Sequence, residues 1–107
     1  MWTKFLLVFH ENDLIKDNHM STRKHFPYVN NKMFAEKVDL SNIAQHVGTP
    51  FYCYSNTAIR QNFQAYEHAF SSQDTLICYA VKANGNQAVL STLAKMGSGA
   101  DVVSMGE

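Results

Sequence analysis

The stretch Leu76-Ile77-Cys78-Tyr79-Ala80-Val81 carries no charge and no clean polar alternation, and it runs straight into Lys82. A run of that kind suits a strand covered on both faces, as in a parallel sheet whose crossover helices hide it from water. We therefore place a strand over 75–83. Ser71-Ser72-Gln73-Asp74 is the loop before it, and Asn84-Gly85-Asn86 is turn chemistry after it. A helix follows from about Gln87 to Met96, with Val89, Leu90, Leu93 and Met96 inward and Gly97 as its natural C-terminal stop. Residues 99–104 form the next predicted strand.

The pattern extends upstream. Residues 38–48 read as a short helix, capped by Asp39 or Ser41 and ended by Gly48, with Leu40, Ile43, Ala44 and Val47 on one face. Thr49-Pro50 breaks the chain and leads into an aromatic strand over 51–54. Ser55, Asn56 or Thr57 caps a second helix to about Phe70, with Ile59, Phe63, Tyr66 and Phe70 as one apolar stripe. From residue 51 the order is β-α-β-α-β, which implies an α/β fold with a parallel sheet and right-handed crossovers.

Size and charge bound what such a chain can be. At 107 residues it suits one domain but falls far short of a closed (β/α)8 barrel, which needs roughly 250. Nine Lys plus Arg against nine Asp plus Glu leave no basic surplus for binding nucleic acid or an anionic membrane. The five His are scattered without metal-ligand spacing, so no metal site is expected. Cys53 and Cys78 sit in apolar, aromatic runs and read as buried thiols of a reducing compartment. Phe5 to Phe9 is too short an apolar run for a secretory core or a membrane span, so the cytoplasm is the default location. Residues 1–19 show no link to the downstream pattern and read as an extension outside the fold, with Met20 as an alternative start. Residues 20–50 and 51–107 are the next two segments.

Lys82 breaks the apolar pattern at the C-terminal end of its strand, where β/α barrels carry their catalytic groups. A free lysine has a pKa of about 10.4; desolvation lowers it and frees the neutral amine to attack an aldehyde. Position alone favours the plainer reading, a lysine whose ammonium snorkels to solvent. The surrounding motif changes the balance.

Tyr79-Ala80-Val81-Lys82-Ala83-Asn84, then Ala88-Val89-Leu90, then Gly97-Ser98-Gly99-Ala100-Asp101-Val102-Val103-Ser104-Met105-Gly106-Glu107 closely resembles the N-terminal part of diaminopimelate decarboxylases. These are pyridoxal-phosphate enzymes with an alanine-racemase-like barrel. Gly48-Thr49-Pro50-Phe51-Tyr52-Cys53-Tyr54-Ser55 looks like that family's Gly-Thr-Pro-aromatic segment, and the resemblance runs from about Phe26 to Glu107. It implies the start of a (β/α)8 barrel, with residues from about Leu76 onward supplying the first two strands and residues 26–37 a piece of the separate β-domain. It implies Lys82 as the Schiff-base lysine and pyridoxal 5'-phosphate as cofactor. Ala80, two residues earlier on the same strand face, would lie against the cofactor, and Asp101 and Ser104 would face the barrel mouth. Asp101 either pairs electrostatically with Lys82 or another cation there, or serves as a cap or strand-start salt bridge; Asn84 shapes the turn. Met105 stands where the family more often has glycine.

The resemblance further implies the conversion of meso-2,6-diaminopimelate to L-lysine and carbon dioxide by a homodimer. The phosphate anchor, the acidic partner of the pyridine nitrogen and the substrate-binding groups would lie beyond Glu107, so the 107 residues alone are expected to be inactive. The other readings are a decarboxylase of ornithine, arginine or carboxynorspermidine, and a truncated, non-catalytic α/β interaction module. Two lookalikes are set aside. Gly97-Ser98-Gly99 follows a helix, not a strand, so it is no dinucleotide fingerprint. Asn84-Gly85-Asn86-Gln87 lacks the Gly-Lys-Ser/Thr of a phosphate loop.

Overall fold

The structure, a computed structural model, describes the backbone of residues 5–8 and all of residues 24–107. It divides into two units, Met1–Thr57 and Ala58–Glu107. In the first, Asn30 and Asn31 both hold positive φ, 49° and 64°, the paired left-handed conformation of a two-residue hairpin turn that Asn tolerates. They join strands β2 (Tyr28–Val29) and β3 (Lys32–Ala35). A second tight turn, with Glu36 at φ 55°, leads into β4 (Val38–Asp39). The result is a three-stranded antiparallel meander. Periodicity alone places no strands over residues 26–37, which only the resemblance gives to a β-domain, because each strand is too short to show an alternating pattern; the Asn-Asn pair is the signal that marks the hairpin, and Val38–Asp39, read as helix, are the strand β4.

Helix α1 (Leu40–Val47) starts where the cap is expected: Asp39 Oδ1 accepts the Ser41 N–H at 2.7 Å. That hydrogen bond, then the Ser41 hydroxyl and Lys32, hold the Asp39 carboxyl below its ordinary range against slight desolvation. Gly48 closes the helix with its N–H on the Ala44 carbonyl. Ala35 and Ile43 are the buried centre of this unit, with Phe26, Val38, Leu40, Val47, Phe51 and Cys53 packed on them.

Strand β5 (Tyr52–Ser55) pairs in parallel with β1 (Phe5–Val8), register Phe5↔Tyr52 to Val8↔Ser55. This differs from the sequence reading twice. Phe5–Val8 is part of a sheet and not wholly outside the fold, and β5 shares no ladder with the strand before Lys82. An apolar Phe-Leu-Leu-Val segment satisfies a free strand edge as well as a sequence-adjacent strand would, and no local pattern announces that choice. The proposed start at Met20 lies outside the described residues.

In the second unit, helix α2 (Asn56–Ala69) packs Phe63 against Val89 and Leu93 of helix α3 (Gln87–Ala94), with Ile59, Ile77, Tyr79 and Met96 around them. The predicted α2 stripe is only half used: Tyr66 is 60% exposed and Phe70 is exposed as well. Leu90 is half-buried, and Thr92 takes a buried place on α3, its hydroxyl satisfied by the Ala88 carbonyl at 2.8 Å. The C-terminal turn of α3 follows the Schellman arrangement, Ser98 N–H to Leu93 O and Gly97 N–H to Ala94 O. Gly97 sits at φ 89°, which only a residue without Cβ adopts freely.

Strands β6 (Cys78–Ala80) and β7 (Gly99–Asp101) pair in parallel, Cys78 opposite Gly99. Both are shorter than predicted: residues 75–77 are irregular, Val81–Ala83 forms a single 3₁₀ turn, and residues 102–104 leave the ladder. Leu76 is 70% exposed, and Cys78 is exposed where a buried thiol is expected, since the described residues cover one side of β6 only. Gly99 is required by its partner. A Cβ there would sit 2.5 Å from Cys78 Sγ and 3.4 Å from Leu76 Cδ2, so the Cys78 side chain would have to shift. Gly99→Val is expected to cost about 1–3 kcal/mol in urea unfolding, and Cys78→Ala in the same molecule to return part of it. A strictly additive double-mutant cycle would remove this explanation. Among the described residues no helix is long and apolar enough to cross a membrane.

Candidate functional site

Because β6 and β7 run parallel, their C-terminal ends open on one edge. The register sets Ala80 directly opposite Asp101. Ala80 is half-buried and Asp101 exposed. Lys82 is two residues past Ala80, and Ser104 three past Asp101, so all four candidate residues emerge at this edge.

The details correct the sequence reading. Lys82 is not the tip of the strand; it lies in the 3₁₀ turn, so it no longer shares a strand face with Ala80. Val81 takes the buried position of the turn and Lys82 is exposed, so the described residues do not desolvate the amine. A continuing strand would have kept the two-residue alternation; the 3₁₀ turn ends it. Among the described residues no ion pair joins Asp101 to Lys82. Ser104 is exposed in the bend after β7, its carbonyl receiving the Glu107 N–H at 3.3 Å.

The turn bearing Lys82 is held from both sides. Tyr79 OH donates to the Asn84 carbonyl at 3.3 Å, spanning the turn. Asn84 Oδ1 accepts the Asn86 N–H at 3.0 Å, and Asn86 Oδ1 accepts the Ala88 N–H at 2.9 Å to cap α3. Asn84 shapes the turn as expected, and the Asn-Gly-Asn spacing shows why: two side-chain acceptors two residues apart each take the N–H two positions on. The Tyr79 clasp is a tertiary contact that sequence reasoning misses. On the other strand, Ser98 Oγ bridges the Gly99 carbonyl at 2.8 Å and the Ile77 carbonyl at 3.4 Å, fixing the entry to β7. An open cleft of about 170 Å³ between Phe63, Phe70, Leu76 and Ile77 lies by the opposite, N-terminal end of β6 and touches none of the four candidate residues.

A second polar cluster sits in the first unit. Glu36 Oε1 accepts the Ser55 hydroxyl at 2.6 Å and the Thr57 N–H at 3.0 Å, so a hairpin turn caps the start of α2 from afar. Burial raises the Glu36 carboxyl, but hydrogen bonds from Ser55 and from the Thr57 backbone and side chain, with the charge of His25, outweigh it and leave the group below its ordinary range. Burial, then the Glu36 charge, pushes the Cys53 thiol up, keeping it protonated and unreactive at neutral pH.

Residues 56–107 match the family model described as the pyridoxal-binding domain of pyridoxal-dependent decarboxylases. Among curated proteins, the diaminopimelate decarboxylase of Pseudomonas aeruginosa is 48% identical over 82 residues, covering 77% of this chain and 20% of that protein. The diaminopimelate decarboxylase of Aquifex aeolicus is 49% identical over 80 residues, 75% of this chain and 19% of that one. The crystal structure of diaminopimelate decarboxylase from M. jannaschii, in co-complex with L-lysine, aligns with a TM-score of 0.75 at 34% identity, over 81% of this chain and 21% of that one. The chain thus spans about one fifth of the relatives it matches, and its mixed α/β fold is that of their N-terminal region. The exposed lysine on a clasped turn at the C-terminal edge of a parallel strand pair thus lies inside the segment that matches the pyridoxal-binding domain of pyridoxal-dependent decarboxylases, and the chain is similar to the N-terminal region of the diaminopimelate decarboxylases.

Proposed function

We propose that this chain supplies the cofactor-bearing lysine of an enzyme that decarboxylates meso-2,6-diaminopimelate to L-lysine. The observation that carries the reading is the Lys82 amine, exposed and on a braced turn at the C-terminal edge of β6 and β7. The residues fit pyridoxal 5'-phosphate in that the primary amine of Lys82 is exposed at the edge where β6 and β7 end. Pyridoxal 5'-phosphate, when bound, supplies an electron sink for the pair left on the α-carbon as the carboxylate departs. Lys82 would hold the cofactor through its Nζ, and that nitrogen would hold or move a proton during the reaction. Ala80 presents a small wall, and Asp101 places a negative charge at the rim. The names of the relatives favour diaminopimelate over other basic amino acids. The reading carries with it a homodimeric, cytoplasmic enzyme that takes a small amino-acid substrate.

The activity belongs to the protein that carries this segment in full; the 107-residue polypeptide alone is expected to form no lysine. The test gives the full-length protein pyridoxal 5'-phosphate and, separately, meso-diaminopimelate, ornithine and arginine, and measures carbon dioxide and the amine product. We expect lysine from diaminopimelate, with kcat/KM at least roughly 100-fold above the other two, because a site built for a second carboxylate leaves its donors unpaired without one. Faster release from ornithine or arginine would replace the substrate assignment.

A further inference from the structure

Tyr79 carries the one hydroxyl in the apolar run that leads to Lys82. Its ring packs against the buried cluster of Phe63, Val89 and Leu93, a task that phenylalanine performs as well. What the hydroxyl adds is a hydrogen bond to the Asn84 carbonyl at 3.3 Å. That bond closes a loop over residues 80–83, and Lys82 lies inside it. The loop is fixed at three points. Ala80 pairs with Asp101 at its start, Val81 is buried within it, and Tyr79 holds Asn84 at its end. Lys82 and Ala83, between the second point and the third, are exposed. With its side chain exposed, Lys82 takes its place from the backbone of this turn. Beyond it, Asn84 Oδ1 accepts the Asn86 N–H, and Asn86 caps α3, so the same clasp ties the turn to the start of that helix.

We propose that Tyr79 is a positioning residue for Lys82: by holding the Asn84 carbonyl, its hydroxyl fixes the turn from which the Lys82 amine works. The inference rests on the function proposed above. An amine that must meet a reacting atom is sensitive to such placement, since a shift of about 1 Å costs roughly 100-fold in rate. Tyr79→Phe keeps the ring and removes the hydroxyl alone. In the full-length protein at saturating pyridoxal 5'-phosphate we would measure kcat and KM for meso-diaminopimelate, the thermal midpoint, amide hydrogen exchange over residues 79–86, and the position of the borohydride-fixed pyridoxyl label.

We expect kcat to fall roughly 3- to 30-fold, between the worth of one neutral hydrogen bond and the cost of a full misplacement. Exchange in the 79–86 segment should quicken. The hydroxyl faces a backbone carbonyl and its removal takes no donor from the substrate, so KM should stay within about twofold, and the thermal midpoint within about 3 °C. A kcat within twofold of the parent, or a fall without faster exchange in that segment, overturns the inference. So does a fall that comes with a raised KM, a lower thermal midpoint or loss of folding, because the hydroxyl is then a structural group and no more. A parent protein labelled at a residue other than Lys82 overturns the functional reading, and this inference with it; a parent labelled at Lys82 whose Tyr79→Phe variant turns over normally overturns this inference alone.

Discussion

Replacing Lys82 with alanine or arginine in the full-length protein is expected to remove the borohydride-fixed pyridoxyl label and to lower decarboxylation on the order of 10⁴-fold or more, the scale on which enzymes lose rate when a covalent group is deleted. The arginine variant decides between readings. If Lys82 serves as a solvated cation at a strand end, arginine replaces it at little cost; if its amine must condense with an aldehyde, a guanidinium that never loses its proton cannot do so. Lys82 is exposed and its turn is held by Tyr79, Val81 and Asn84, so neither change is expected to move the unfolding free energy by more than about 0.5 kcal/mol. Loss of label and rate at unchanged stability is the expected combination. An active Lys82→Arg enzyme would end the assignment.

The second large effect is structural. Glu36→Ala removes the shared acceptor of Ser55 Oγ and the Thr57 N–H, and hydrogen bonds to a charged group contribute about 1.5–3 kcal/mol. With Glu36 only partly buried, we expect the variant to lose about 1–3 kcal/mol at pH 7 in urea unfolding. The pH dependence follows from the depressed carboxyl. Its contribution is present above the ordinary glutamate value of about 4.3 and disappears as pH falls through the lower folded value, because the unfolded chain takes up the proton first. Glu36→Gln should therefore be less stable than the parent at pH 7 and converge on it in the acid range. Asp39 is also depressed but is present in both proteins and cancels in the difference. Parallel stability curves for the two would show that the Glu36 charge does not hold the start of α2.

The site was legible to the extent that it is local. Lys82 stands out because a charge ends an apolar run before Asn-Gly-Asn, and the parallel pairing of its strand with residues 99–101 follows from the helix between them. That Lys82 sits on an exposed 3₁₀ turn and not on a desolvated strand tip was not legible. Whether a strand continues or closes into a 3₁₀ turn depends on the Tyr79–Asn84 contact across it, and a near-continuous apolar run reads the same either way. The buried, unused amide of Asn84 is likewise invisible in a sequence, where every asparagine looks satisfied.

The amino-acid order alone determined helices α1 and α3, since their caps and stops are contacts between residues two to five apart: Asp39 with Ser41, Asn86 with Ala88, Gly97 and Ser98 with the end of α3. Tertiary structure decided what each strand pairs with and what holds the helix starts from a distance. Phe5–Val8 lies beside Tyr52–Ser55, and Glu36 reaches Ser55 and Thr57 across 19 and 21 residues. Periodicity encodes which face of an element is apolar, whereas the partner that covers a free edge or answers a distant N–H is chosen only when the folded chain brings the candidates together and the best-satisfied arrangement wins.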